Sequence, residues 1–197
     1  RQDLIEIQNK ENEAEAYFKL FPNKKTVLVI GGSLGAKRVN ELIEANLSYF
    51  EANNLQLVWQ TGKLYFEKYK KYQSESVQVH EFLDRMDLAY STADVIISRA
   101  GAGSVSELCM VAKPVVFIPS PNVAEDHQTK NAMSLVKEEA AIMLKETELE
   151  EKFQQEFLAL ISSETLQQKL STNILKLAKP NATKDIADEI EKLIKKN

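Results

Sequence analysis

An alternation along the chain constrains its fold more than any other feature. Short apolar runs rich in valine and isoleucine recur at 26–30, 55–60, 77–82, 94–98, 114–119 and 140–144. Between them lie amphipathic stretches of helical period, such as 36–50 and 104–112. A short apolar run without polar alternation is a strand buried on both faces, and such strands separated by helices build a parallel sheet covered on both sides. The chain is predicted to be α/β, a Rossmann-like doubly wound parallel sheet of about six strands. From residue 148 onward the strand signal stops, and the tail is helical, with Ile186, Ile190 and Ile194 on one face. The opening 2–20 is charged and helix-prone, with little apolar content for docking. The reading is therefore a connector over 1–20, a sheet domain over 21–178 and a C-terminal helix over 179–197.

Composition narrows the function classes. With 44% apolar and 27% charged residues among 197, the chain can bury a core. Its 25 basic and 29 acidic residues are dispersed, for a net charge of -4, so there is no electrostatic footprint for a nucleic acid backbone. The single cysteine, Cys109, cannot form an internal bridge, and His80 and His127 are far from ligand spacing with it. A reducing compartment and no structural metal are expected. No apolar run approaches the ~20 residues that cross a bilayer.

All six glycines fall at or just after expected strand ends: Gly31, Gly32 and Gly35 after the first, Gly62 after the second, Gly101 and Gly103 after the fourth. In an open parallel sheet, ligands bind at the carboxyl ends of the strands, where small residues let helix N-terminal amides approach an anion. Two such turns point to a phosphate-bearing ligand. The first turn fails the dinucleotide fingerprint, because Ser33 stands where the second glycine belongs and no acidic residue closes the next strand at Gln60. It fails the P-loop pattern because Ala36 precedes Lys37. It does match G-x-S-x-G, so a small serine hydrolase with Ser33 as nucleophile and His127 as base stays open. Against this, no earlier strand exists to supply the second oxyanion donor. Ser33 also reads as a simple helix cap, with phosphate contact favoured over it.

In the second turn, Ser104-x-x-Glu107 matches a capping box. The functional alternative gives Gly101, Ala102, Gly103 and Ser104 to a diphosphate and Glu107 to a sugar diol. A third region, 122–132, is polar for a strand-to-helix junction and carries His127 and Gln128, though polar residues at helix starts are ordinary.

Four motifs in register carry a resemblance. Gly31-Gly32-Ser33-x-Gly35-Ala36 with Asn40, Glu81-Phe82-Leu83 with Met86, Ser98-Arg99-x-Gly101-Ala102 with Ser104-Val105-Ser106-Glu107, and Gln128 with Asn131-Ala132 together resemble the MurG family. These are the N-acetylglucosaminyltransferases of peptidoglycan synthesis. The resemblance covers nearly the whole chain but only the carboxyl-terminal half of the family, whose GT-B architecture sets two Rossmann-like domains across a cleft. The amino-terminal acceptor domain is thus expected to lie outside this chain, and Arg1-x-Asp3 is similar to the end of the family's junction segment.

The resemblance implies a donor domain for UDP-N-acetylglucosamine. By it, the Leu83 backbone reads the uracil, Glu107 the ribose hydroxyls, and Ser33 with the amides of Ala102, Gly103 and Ser104 the diphosphate. Gly32 and Gly101 belong to the same two turns. Gln128 takes the sugar hydroxyls with His127 beside it, and Arg1 meets the donor from the hinge. The family often has glutamine at the place of His127 and a larger residue at that of Gly103. The implied reaction is inverting and needs neither metal nor cofactor: the C4 hydroxyl of lipid-linked muramyl-pentapeptide attacks the anomeric carbon and UDP leaves. Acceptor contacts, the membrane-facing patch and the general base are expected in the other half, so no catalytic residue is assigned here and this half alone is expected to be inactive. A stand-alone donor subunit of a split enzyme is the further variant. The implied location is peripheral, on the cytoplasmic face of a bacterial membrane.

Overall fold

A computed structural model describes residues 7–182, 187 and 190–192; Arg1 and most of the helix expected over 179–197 lie outside them. Six parallel strands form one sheet: β1 (Lys25–Ile30), β2 (Leu55–Gln60), β3 (Val77–His80), β4 (Val95–Ser98), β5 (Val115–Phe117) and β6 (Ile142–Met143). Their spatial order is β3-β2-β1-β4-β5-β6, so the chain winds outward from β1 in one direction and then from β4 in the other. This is the expected doubly wound α/β sheet, with β3, β5 and β6 shorter than the apolar runs that contain them. All of β2 and β4 is buried, as strands between two helical layers must be.

The helices are α1 (Glu11–Phe18), α2 (Lys37–Ala45), α3 (Leu47–Ala52), α4 (Phe66–Tyr69), α5 (Met86–Thr92), α6 (Ala102–Val111), α7 (His127–Lys137), α8 (Leu149–Ile161) and α9 (Glu164–Lys176). Successive strand side chains point to opposite faces, which splits the core in two. Leu28, Ile30 and Ile96 pack with Phe18 of α1, Leu88 of α5, Leu108 of α6 and Leu135 of α7. Val27, Val29 and Ile97 pack with Ile43 of α2, Phe50 of α3 and Phe157 of α8. Burying a ring such as that of Phe157, set edge-on to Phe50 at 5.5 Å, contributes roughly 1.5–3 kcal/mol.

Two expectations are corrected. The helix expected over 36–50 is broken at Asn46, whose Nδ2 donates to the Leu42 carbonyl at 2.8 Å. A side chain that bonds its own backbone offers the chain an alternative to continuing the helix. The opening segment also has enough apolar surface to dock: Ile7, Ala14, Phe18 and Leu20 are buried in the core beside α5. An ion cluster holds it there. Asp87 Oδ2 accepts from Lys10 Nζ at 2.8 Å and from Arg85 Nη2 at 2.9 Å, and Arg85 also reaches Glu13 at 3.0 Å. The Arg85 guanidinium, with Lys10 beside it, holds the Asp87 carboxyl far below the usual carboxylate range.

Candidate functional site

The two glycine-rich turns come together at the place where the strand order reverses. β1 and β4 are neighbours, and Ile30 pairs with Ser98 at their carboxyl ends. The first turn leaves from Ile30 and the second from Ser98, so both open on the crevice where doubly wound sheets bind ligands. The hollows elsewhere on the described surface belong to other places; one of about 370 Å³ lies between Ile7, Ser91, Met110, Lys113 and Thr172.

The first turn is built on close backbone packing. A Cβ on Gly35 would stand 2.1 Å from the Thr61 carbonyl oxygen, and one on Gly62 2.1 Å from the Gly35 nitrogen. The turns after β1 and β2 therefore interlock, and Lys63 N donates to the Ser33 carbonyl at 3.1 Å. Asn40, buried on α2, fastens them from below: its Nδ2 donates to Thr61 O and its Oδ1 accepts from Trp59 Nε1, both at 2.9 Å. Gln60 Nε2 donates to Gly32 O at 3.0 Å. The N–H groups of Gly32, Ser33 and Leu34 have no acceptor among the described residues. Ser33 is exposed and does not cap α2, whose N-cap is Ala36 without a side-chain bond; the cap reading is corrected.

The second turn presents the start of α6. The helix begins at Ala102 with Gly101 as N-cap, and its first backbone bond runs from Val105 N to Gly101 O at 2.9 Å. The N–H groups of Ala102, Gly103 and Ser104 are thus the orphan donors of a ten-residue helix, at its positive end. The expected capping box does not form, because Ser104 lies at the third helical position instead of the cap. Glu107 sits one turn further in, half-buried and engaged with a neighbour. A Cβ on Gly103 would meet nothing within 4 Å. Asn131 of α7 ties the turn down by donating to Ala100 O at 3.0 Å.

Of the remaining predicted residues, Arg1 lies outside the described residues, and Leu83, His127 and Gln128 have mixed outcomes. Leu83, after β3, buries its side chain in the core, while its main-chain N–H and C=O make no hydrogen bond among the described residues. Its neighbour Phe82 is exposed. Gln128 uses Oε1 to accept from Ser120 N at 3.0 Å, which leaves its Nε2 as a donor. His127 is exposed, with Nδ1 2.9 Å from the Ala124 carbonyl of its own turn. Before it, Glu125 and Asp126 both adopt positive φ, 53° and 51°, a strained pair that turns the chain sharply into α7. No hydrogen bond joins Ser33 to His127 among the described residues, so the hydrolase constellation is not assembled. Burial raises the pKa of the Cys109 thiol, in keeping with a core role. Among the described residues no group of histidine, cysteine, aspartate and glutamate could hold a metal ion, and no helix is long and apolar enough to cross a membrane.

Sequence reasoning missed Arg99 and Glu146 as parts of this region. Arg99 stood inside a quoted motif without a role, and Glu146 is one of many charged residues in its stretch. Arg99 Nη2 meets Glu146 Oε1 at 2.5 Å and Nη1 donates to Ile118 O at 2.9 Å.

Comparison with known proteins accords with this geometry. Residues 26–190 match the glycosyltransferase family 28 C-terminal domain. The chain is 59% identical over 194 residues to the UDP-N-acetylglucosamine–N-acetylmuramyl-(pentapeptide) pyrophosphoryl-undecaprenol N-acetylglucosamine transferase of Christiangramia forsetii, covering 98% of this chain and 53% of that protein. It is 48% identical over 200 residues to the protein of that name from Parabacteroides distasonis, covering 100% of this chain and 54% of the relative. The chain thus spans about half the length of the curated relatives it matches. The crystal structure of Acinetobacter baumannii MurG superposes with a TM-score of 0.79 at 29% identity, over 96% of this chain and 55% of that one.

Proposed function

We propose a function on one premise: the chain belongs to the glycosyltransferase family 28 C-terminal domains, which its residues 26–190 match. On that premise it is the donor-binding half of an inverting transferase that moves N-acetylglucosamine from UDP to lipid-linked N-acetylmuramyl-pentapeptide, the reaction in its relatives' name. The Leu83 main chain reads the uracil and Glu107 the ribose hydroxyls. The diphosphate lies between the Gly32 and Ser33 turn and the Gly101, Ala102, Gly103 and Ser104 turn. Gln128 donates to the sugar through Nε2, with exposed His127 beside it, and Arg1, which lies outside the described residues, is assigned to the donor as well.

In the reaction, the acceptor hydroxyl attacks the anomeric carbon on the face opposite the diphosphate. The bond from that carbon to the phosphate oxygen breaks, UDP leaves with the electron pair, and the hydroxyl proton passes to a base in the other half of the enzyme. The work of this half is to stabilise the charge that develops on the departing diphosphate. One helix N-terminus contributes roughly 0.3–1 kcal/mol when exposed and more once water is excluded. Acceptor binding and attachment to the cytoplasmic face of the membrane belong to the other half.

The observation that carries this reading is the pair of glycine turns side by side at the reversal of strand order, with unpaired N–H groups on both. Thermal unfolding of the chain with nucleotides tests it. UDP at a hundred times its Kd is expected to add about 2.7 kcal/mol of stability and NAD none. A melting point that ignores UDP, or labelling of Ser33 by a fluorophosphonate, would sink the proposal.

A further inference from the structure

Each glycine turn has an arginine at its foot, and both arginines are fastened to one segment, 146–150. Arg99 directly precedes Ala100 and Gly101. Its Nη2 meets Glu146 Oε1 at 2.5 Å and its Nη1 donates to Ile118 O at 2.9 Å, with the two side chains only 13% and 14% exposed. One guanidinium thereby links the chain as it leaves β4, β5 and β6. Arg38 is the second residue of α2, which continues from the first turn. Its Nη2 donates to the Glu146 main-chain oxygen at 3.3 Å and to Glu150 Oε1 at 2.6 Å, and its Nη1 to Glu41 Oε2 at 3.2 Å. Two positive charges thus adjoin the two turns along the chain, yet both are already spent on carboxylates and carbonyls.

We propose that Arg99 and Glu146 are positioning residues: their ion pair, joined through 146–150 to Arg38, sets the spacing of the two glycine turns and hence their fit to a diphosphate. The inference rests on the function proposed above and assigns these side chains a role without contact to the ligand. The planar guanidinium holds two acceptors in a fixed relation, Glu146 Oε1 through Nη2 and Ile118 O through Nη1, which a lysine contact would not. When such a pair is nearly buried, removing one partner strands the other, and the turn beside it loses the contact that holds it. Each turn has an anchor of its own, Gly35, Gly62 and Asn40 for the first and the Asn131 bond to Ala100 O for the second, but only the second adjoins Arg99 directly, so it is the one expected to shift.

Binding of UDP and of uridine to the chain, followed by ligand-observed NMR, separates the possibilities. Uridine shares the uracil and ribose contacts but has no diphosphate. Glu146→Ala is expected to weaken UDP by about tenfold or more and uridine by less than about twofold, as misplaced binding groups do. Glu146→Gln keeps an acceptor oxygen on the same stem and should restore most of the UDP affinity. Unchanged UDP affinity in Glu146→Ala, or equal losses for UDP and uridine, would overturn the inference. Should Glu146→Ala fail to fold, Arg99→Lys, which keeps the charge and loses the fork, is judged by the same two losses. If the unaltered chain binds no UDP, the proposed function falls and this inference with it, a result distinct from any variant's behaviour.

Discussion

Adding one methyl group to Gly35 tests how the carboxyl edge of the sheet is built. Gly35 has φ +86°, where an alanine costs about 1–2 kcal/mol. The new Cβ would also lie 2.1 Å from Thr61 O and 2.8 Å from Tyr65 Cδ2. The carbonyl is main chain and cannot rotate away, so the two turns must separate, and overpacking of that kind costs typically ~1–3 kcal/mol more. The expected loss is about 2–5 kcal/mol, which in a domain of this size lowers Tm by roughly 5–15 °C. Gly32→Ala is the control: its φ is +84° but nothing lies within 4 Å, so only the torsional cost of about 1–2 kcal/mol applies. Gly103→Ala has neither penalty and removes a poor helix former, so it should stabilise by up to ~1 kcal/mol. Urea unfolding read by the single tryptophan, buried Trp59, gives all three values. If Gly35→Ala and Gly32→Ala agree within about 0.5 kcal/mol, the size of an ordinary surface change, the interlocked turns are not there and the reasoning fails.

Two further outcomes follow from buried polar groups. Asn40→Leu should cost roughly 2–5 kcal/mol and shift Trp59 emission, because it strands the Trp59 N–H and the Thr61 carbonyl; a variant as stable as the parent would show that Asn40 bears no such load. Burial holds the His80 imidazole below its ordinary pKa, and its Nε2 has no partner among the described residues. The unfolded chain therefore takes up the proton first, so this contribution to stability is complete above about pH 6.5 and is lost as pH falls from there through the folded value. His80→Phe should flatten the stability curve across that window, and an unchanged slope in denaturant titrations would exonerate His80.

The sheet was legible because its strands are buried on both faces, which writes them as apolar runs; β2 matches its run of 55–60 at both ends. The glycine turns were legible because each follows such a run, and the structure brings them together through the β1–β4 pairing that no local pattern states. Local motifs read without a helix start misled: Ser104-x-x-Glu107 has the spacing of a cap, yet α6 starts two residues earlier at Ala102. The docking of the opening segment was hidden because its apolar residues are few and irregularly spaced, and because Lys10 finds Asp87 far along the chain. Glu146 gave no signal at all, since its partner Arg99 is 47 residues away and sequence carries no mark of such a pairing.

Donors that belong to the peptide itself have a property that side-chain sites lack. Exchanging the letter at Ser33, Ala102 or Ser104 for any residue but proline leaves every N–H where it was, and no change of pH between mild acid and mild base ionises it. Apart from proline, which deletes a donor, mutation can disarm such a surface only by tilting the loop that bears it. Tolerance should therefore be broad at the exposed tips and narrow at the hidden joints, Gly35, Gly62, Asn40 and Asn131, that hold the loops in place.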